Sequence, residues 1–137
     1  MSPVQEISVR DFMVVNPVVF TPETDLLDAV RVLVDRRISG APVVDERGNL
    51  VGLLTEGDFL KAALVAGYQG ERGGRVAEYM TREVEAVHAG DSLLDVATRF
   101  VETKYRRYPV VEDNRLVGVV GRRDVLRAVL ESLRSGR

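Results

Sequence analysis

The sequence predicts an α+β fold made of two copies of one β-α-β-β-α unit. Three observations carry this. The chain repeats itself: Met13 aligns with Met80, Leu26-Leu27-Asp28 with Leu93-Leu94-Asp95, and Pro42-Val43-Val44 with Pro109-Val110-Val111. The match continues through Leu50-Val51-Gly52 on Leu116-Val117-Gly118 and Asp58 on Asp124, with one residue lost near Gly48, where a turn tolerates it. Each copy holds one stretch of apolar residues at helical spacing, then two β-rich runs around turn chemistry. So complete a duplication implies one supersecondary unit used twice, in a pseudo-two-fold arrangement with equivalent clefts where the copies meet.

The elements follow in order. Ser8 to Met13 forms a helical turn, and Val18-Val19-Phe20 reads as a brief strand. Thr24 or Asp25 offers an N-cap. Leu26, Leu27, Val30, Leu33 and Val34 then mark the inner face of a helix that Gly40 ends. Ala41 to Val44 and Leu50 to Leu54 form a hairpin about Glu46-Arg47-Gly48-Asn49, and Thr55 caps a last helix reaching about Val65. The second copy follows suit. It has a turn at Val76 to Met80 and a strand near Glu85 to Val87. A helix from Ser92 to Lys104 turns Leu93, Leu94, Ala97, Phe100 and Val101 inward. Strands at Tyr108 to Val111 and Leu116 to Val120 lead to a helix from Arg122 to Leu133, with Val125, Leu126, Val129 and Leu130 inward. Repeat one is therefore expected at 8–66 and repeat two at 76–134, joined by a glycine-rich linker at 67–75.

Composition narrows the function. A chain of 137 residues suits one compact domain or two small halves sharing a core. Nineteen basic residues against 21 acidic ones leave a net charge of −2, which argues against nucleic acid as the main partner. Without cysteine there is no disulfide or thiolate chemistry, and a cytoplasmic location is expected. No apolar run approaches the roughly 18 residues of a membrane span. The opening residues contain Glu6 and no long apolar core, so no signal peptide is expected. His88 is the one histidine, so no metal site is expected. No nucleophile and base pair up, and neither a Walker loop nor a dinucleotide fingerprint occurs, so no catalytic residue is assigned.

The β-α-β-β-α unit, with G-h-h-T-x-x-D leading into its last helix (h is apolar), resembles the CBS domain family. The residues carrying the resemblance are Asp25 to Ala29, Ser39 to Asp45, Gly48 to Gly52 and Thr55 to Asp58. In the second copy they are Ser92 to Val96, Arg106 to Glu112, Arg115 to Gly118 and Asp124. The resemblance implies a tandem module that binds adenosine-containing ligands such as AMP, ADP, ATP or S-adenosylmethionine. It also implies a sensor that often dimerises and is not itself an enzyme.

The resemblance places a ribose on Asp58 and on Asp124, since a carboxylate accepts hydrogen bonds from both sugar hydroxyls. Thr55 is expected at a phosphate or the ribose, beside helix N–H groups that favour an anion. The same Thr55-x-x-Asp58 spacing is also that of a capping box. In copy two Gly121 replaces the threonine, and Arg122 and Arg123 follow it, where cations make most sense beside an anion. Arg106 and Arg107 suit a polyphosphate, though cations after a helix are favoured in any case. Their counterparts Ser39 and Gly40 are small and neutral. By family position Val18 and Val19, and Val84 to Ala86, line an adenine slot, with Ala41, Pro42, Leu54, Tyr108, Pro109 and Val120 as walls. The competing reading is a ligand-free scaffold for dimerisation or for docking a partner enzyme or transporter.

Overall fold

In the computed structural model, residues 6–66 and 74–135 are described. The linker expected at 67–75 therefore lies outside the described residues up to 73. They form two compact units. One runs without interruption from Val18 to Val84, and the other combines the residues up to Pro17 with those from Glu85 onward. Unit boundaries thus cross the sequence repeats.

The contiguous unit, 18–84, holds α1 (Leu26–Arg36), β1 (Gly40–Val44), β2 (Leu50–Thr55) and α2 (Glu56–Ala66). Of the two candidate caps, Asp25 starts α1, its carboxylate accepting from the Asp28 N–H at 3.1 Å. The helix stops at Arg36, before the glycine expected to end it. Arg37 takes the left-handed conformation (φ 57°), and its N–H returns to the Leu33 and Val34 carbonyls. Gly40 instead opens β1. The expected strand at Val18 to Phe20 contracts to one parallel bridge between Phe20 and Val43.

The other unit holds β3 (Val87–His88), α3 (Leu93–Glu102), β4 (Arg107–Glu112), β5 (Arg115–Gly121) and α4 (Arg122–Ser135). Here β3 is a true if short strand, parallel to β4, which pairs antiparallel with β5.

The single-residue deletion between the copies is a change of turn. Asp45 N–H meets the Asn49 carbonyl at 3.0 Å, leaving a three-residue loop with Gly48 at φ 85°. In β4–β5 Glu112 pairs with Arg115, leaving Asp113-Asn114, both at positive φ. Both loop types match the right-handed twist of their strands. Asp45 stiffens the longer loop. Its carboxylate accepts from the Asn49 and Arg47 N–H groups at 2.9 Å, which hold its pKa below the usual carboxylate value.

Each unit is completed by the opening turn of the other repeat. Met80-Thr81 joins the contiguous unit: Thr81 and Leu53 exchange two backbone hydrogen bonds of 2.9 Å. Val14 does the same with Val119 at 2.8 and 3.0 Å in the other unit. The 3-10 turn Val76–Glu78 is tied on by Val76 N–H to Thr24 O and Ala77 N–H to Pro22 O. The turn Val9–Asp11 is tied on by Val9 N–H to Asp91 O and Arg10 N–H to Ala89 O. Gly74 and Arg75, expected in the linker, belong to this seam. Gly74 O accepts from Leu26 N–H, and Arg75 bridges to Asp25.

Two strand glycines make the exchange possible. A Cβ on Gly52 would lie 2.5 Å from the Met80 sulfur, and one on Gly118 would lie 2.7 Å from the Val14 carbonyl oxygen. The prolines fit for a related reason. Pro42 and Pro109 stand opposite Leu53 and Val119, whose N–H and C=O groups turn away toward Thr81 and Val14. No ladder bond is lost to the missing proline donor.

The cores differ in size of side chain. In the contiguous unit Leu26, Ala29, Leu33, Ala41, Val43 and Leu54 are enclosed with Phe20, Val76 and Met80. The other unit uses Leu93, Val96, Phe100, Tyr108, Val110 and Val120 with Val9 and Val125. Fully enclosing each such aliphatic side chain contributes about 1.5–3 kcal/mol. The helices are rotated from the expected faces. Ala29, Val96 and Ala128 are buried, whereas Val34, Val101, Leu126 and Leu130 are more than half exposed and Leu94 is 50% exposed. Among the described residues no helix is long and apolar enough to cross a membrane.

Candidate functional site

The start of α2 gathers the first set of expected ligand residues. Thr55 ends β2 and Asp58 lies in the first turn of α2. The two form a reciprocal capping box: Thr55 N–H donates to Asp58 Oδ2 at 3.0 Å, and Asp58 N–H donates to Thr55 Oγ1 at 3.1 Å. Asp58 Oδ1 accepts from the Thr81 hydroxyl at 3.0 Å. The sequence offered no local signal for that third contact, since Thr81 arrives with the exchanged turn. An ionised carboxylate has about four acceptor positions. Asp58 uses two here, and the Thr55 hydroxyl keeps its own proton to donate. Capping and ligand binding are therefore compatible at this residue.

Asp124 stands in the equivalent place at the start of α4. Its Oδ2 accepts from Gly121 N–H at 2.8 Å. The counterpart of Thr81 is Val14, which has no hydroxyl, and Asp124 Oδ1 instead meets Arg127 at 3.3 Å. The Asp124 side chain is 14% exposed and that of Arg127 63% exposed, so this ion pair contributes little.

Packing does not explain the missing threonine: a Cβ on Gly121 would meet Arg106 O at 3.5 Å and Asp124 Oδ2 at 3.6 Å, ordinary contact distances. Gly40 pairs with Thr55 across β1–β2, and a Cβ on Gly40 would lie 3.1 Å from the Thr55 methyl. In the other hairpin Arg107 pairs with Gly121, and the Arg107 Nε lies 3.9 Å from a Cβ built on that glycine. Small faces large in both hairpins, with the roles exchanged.

The remaining residues divide into those brought to the helix starts and those taken into the core. Arg122 N–H reaches Arg106 O at 3.2 Å, as Glu56 N–H reaches Ser39 O at 2.9 Å, so Arg106 and Ser39 sit beside their helix starts. Arg106, Arg107, Arg123 and Ser39 are exposed, as is Val19, while Val18 and Gly40 are half-buried. Ala41, Pro42 and Pro109 are buried in the strands. One expectation needs correction. The Tyr108 ring does not wall a ligand: it is 1% exposed and stacked in the core at 4.9 Å from Phe100. Its hydroxyl meets Thr103 Oγ1 at 2.8 Å, and the Arg99 guanidinium covers its ring at 4.7 Å. Arg122, expected beside an anion, is exposed. Its guanidinium donates to the Tyr105 and Thr103 carbonyls at 3.3 and 3.4 Å, groups left open by the end of α3.

Sequence reasoning missed Arg99. It donates to Ala86 O and to Glu85 Oε1, both at 2.9 Å, and so fixes the segment expected to line an adenine slot. Its counterpart in the first copy is Val32, and that one-sided charge was the available signal. His88 is exposed, with its backbone N–H on Asp91. Among the described residues no group of three His, Cys, Asp or Glu is placed to hold a metal ion.

Two stretches, residues 9–65 and 76–131, match the CBS domain family model. This chain belongs to the CBS domain family. The CBS pair is 32% identical to protein MJ1225 of Methanocaldococcus jannaschii over 119 residues, which cover 87% of this chain. It spans 41% of that protein's length. Among solved structures it is similar to CBSX2, a CBS-pair protein of Arabidopsis thaliana, in complex with AMP: TM-score 0.79 and 34% identity, covering 91% of this chain and 97% of that one. The CBS domain pair of protein MJ0100, in complex with 5′-methylthioadenosine and S-adenosyl-L-methionine, has a TM-score of 0.75 and 28% identity. The match covers 95% of this chain and 99% of that one.

Proposed function

We propose that this CBS pair is a regulatory module that senses an adenosine-containing ligand, of the AMP, ADP and ATP class or S-adenosylmethionine, at the start of the last helix of each repeat. It has no catalytic role of its own in this reading, and it works in the cytoplasm, on a protein target that responds to the ligand. One observation carries it: Asp58 and Asp124 occupy equivalent helix starts, each oriented by a backbone N–H and each with acceptor positions left for a sugar diol. The AMP held by CBSX2 and the adenosine derivatives held by MJ0100 support the same chemistry.

Titration calorimetry with AMP tests it. Replacing both acids, Asp58→Asn with Asp124→Asn, removes charge-assisted bonds of about 1.5–3 kcal/mol each, so affinity falls by at least about tenfold. An unchanged titration curve rejects the assignment. In the unaltered protein, AMP at about 100 times Kd raises stability by about 2.7 kcal/mol.

A second observation favours self-association. Val34, Leu60 and Leu64 are more than half exposed, and so are their counterparts Val101, Leu126 and Leu130. Repetition of one apolar surface on both units suits a symmetric partner, and the reading includes a homodimer made by a second copy. Sedimentation equilibrium is expected to return twice the chain mass; a monomer at every concentration rejects it.

A further inference from the structure

The chain contains no cysteine, so its oxidisable sulfur is the thioether of methionine. Two methionines hold equivalent places at the exchanged turns: Met80 packs against Gly52 and Met13 against Gly118. Their surroundings differ. Met80 is enclosed, 9% exposed, in the core of the contiguous unit. Met13 is half-buried and borders the core of the other unit. A peroxide reaches Met13 more readily than Met80. Met13 is also where an added atom does most. A Cβ built on Gly118 would lie 2.9 Å from the Met13 sulfur and 2.7 Å from the Val14 carbonyl oxygen, so sulfur, carbonyl and strand backbone crowd one point. That carbonyl accepts from Val119 N–H at 3.0 Å, and Met13 N–H donates to Val9 O at 2.9 Å. A sulfoxide oxygen is an acceptor, as the Val14 carbonyl oxygen is, so the two cannot pair. It also makes a side chain polar beside an apolar core.

We propose that Met13 is a site of reversible oxidation whose sulfoxide releases the opening turn, residues 9–14, from its unit. The sulfur lone pair takes one oxygen from hydrogen peroxide. The O–O bond breaks, an S–O bond forms and water leaves. Sulfur is oxidised by two electrons and the peroxide is reduced by two. A thiol-dependent methionine sulfoxide reductase reverses the change: two thiols become a disulfide, and the oxygen leaves as water. The inference goes beyond the adenosine reading and does not rest on it, since none of the residues assigned to a ligand takes part.

Treating the full chain with hydrogen peroxide and weighing its peptides by mass spectrometry tests this. Met13 is expected to gain its oxygen before Met80 does. The urea midpoint then falls, and amide exchange loses protection at Val14 and Val119 while Leu53 and Thr81 keep theirs. Treatment with the reductase restores both readings. Met13→Leu puts an apolar side chain of similar volume in the same place. That variant is expected to fold with nearly the midpoint of the unaltered protein and to hold it after peroxide, whereas Met80→Leu still responds. The exchange measurement needs no variant, so it decides the matter even if Met13→Leu folds poorly. Oxidation of Met80 ahead of Met13 overturns the proposal. So does a Met13 sulfoxide with Val14 and Val119 still protected, or a folded Met13→Leu variant that loses as much midpoint as the unaltered protein.

Discussion

Gly118→Ala is expected to destabilise the protein by about 2–3 kcal/mol, the upper part of the range for overpacking. The new methyl would lie 2.7 Å from the Val14 carbonyl oxygen and 2.9 Å from the Met13 sulfur. That carbonyl is bonded to Val119 N–H at 3.0 Å, so it cannot retreat without breaking the seam that holds the exchanged turn. Gly52→Ala is the matched comparison. Its nearest obstacle is the Met80 sulfur, and the nearest backbone atom, Thr81 O, is 3.1 Å away. A thioether side chain can turn aside, so the cost there is smaller, about 1 kcal/mol. Urea unfolding with an unchanged slope reads both. Finding Gly52→Ala the more damaging of the two would refute the account of the seam.

Tyr108→Ala is expected to cost about 3–5 kcal/mol, the range for emptying an enclosed aromatic site. The ring is covered by Phe100, Tyr105 and the Arg99 guanidinium, and its hydroxyl is satisfied by Thr103. Tyr108→Phe removes only the hydroxyl bond and should cost about 1 kcal/mol. If the two variants unfold at the same denaturant concentration, Tyr108 is not the packing centre of its unit.

Much of the fold was legible because local chemistry was consistent. Asp25 and Ser92 are caps, and each accepts from the N–H three residues on. The lost residue marked the hairpin turn because a three-residue and a two-residue loop both close antiparallel strands. Helix faces were less legible. Val34 and Val101 are as apolar as any core residue, and a pattern of hydrophobicity does not separate an enclosed face from one awaiting a partner. The small residues Ala29 and Ala128 gave little weight to the correct face although both are buried.

The site was legible at Asp58 and Asp124, where three-residue spacing placed a carboxylate on a helix start. It was not legible where a contact crosses the chain. Thr81 reaches Asp58 only because repeat two lends its opening turn to the unit of repeat one. Arg122 looked free because the carbonyls it satisfies, at Thr103 and Tyr105, are neighbours in space alone. Tyr108 looked like a ligand wall by position in the family pattern, yet its size suited the larger core of its unit.

The uninterrupted stretch from Val18 to Val84 is, in effect, inserted between the two parts of the other unit. During synthesis the inserted body can close as soon as its last residues leave the ribosome. The opening residues have to wait, because Val9 needs Asp91 and Val14 needs Val119. At about 5–20 residues per second the delay between Val14 and its partner is roughly 5–20 s. Throughout that interval Met13-Val14-Val15 is an apolar strand segment with no edge to join. The nascent chain is therefore most exposed to misassociation at Met13-Val14-Val15.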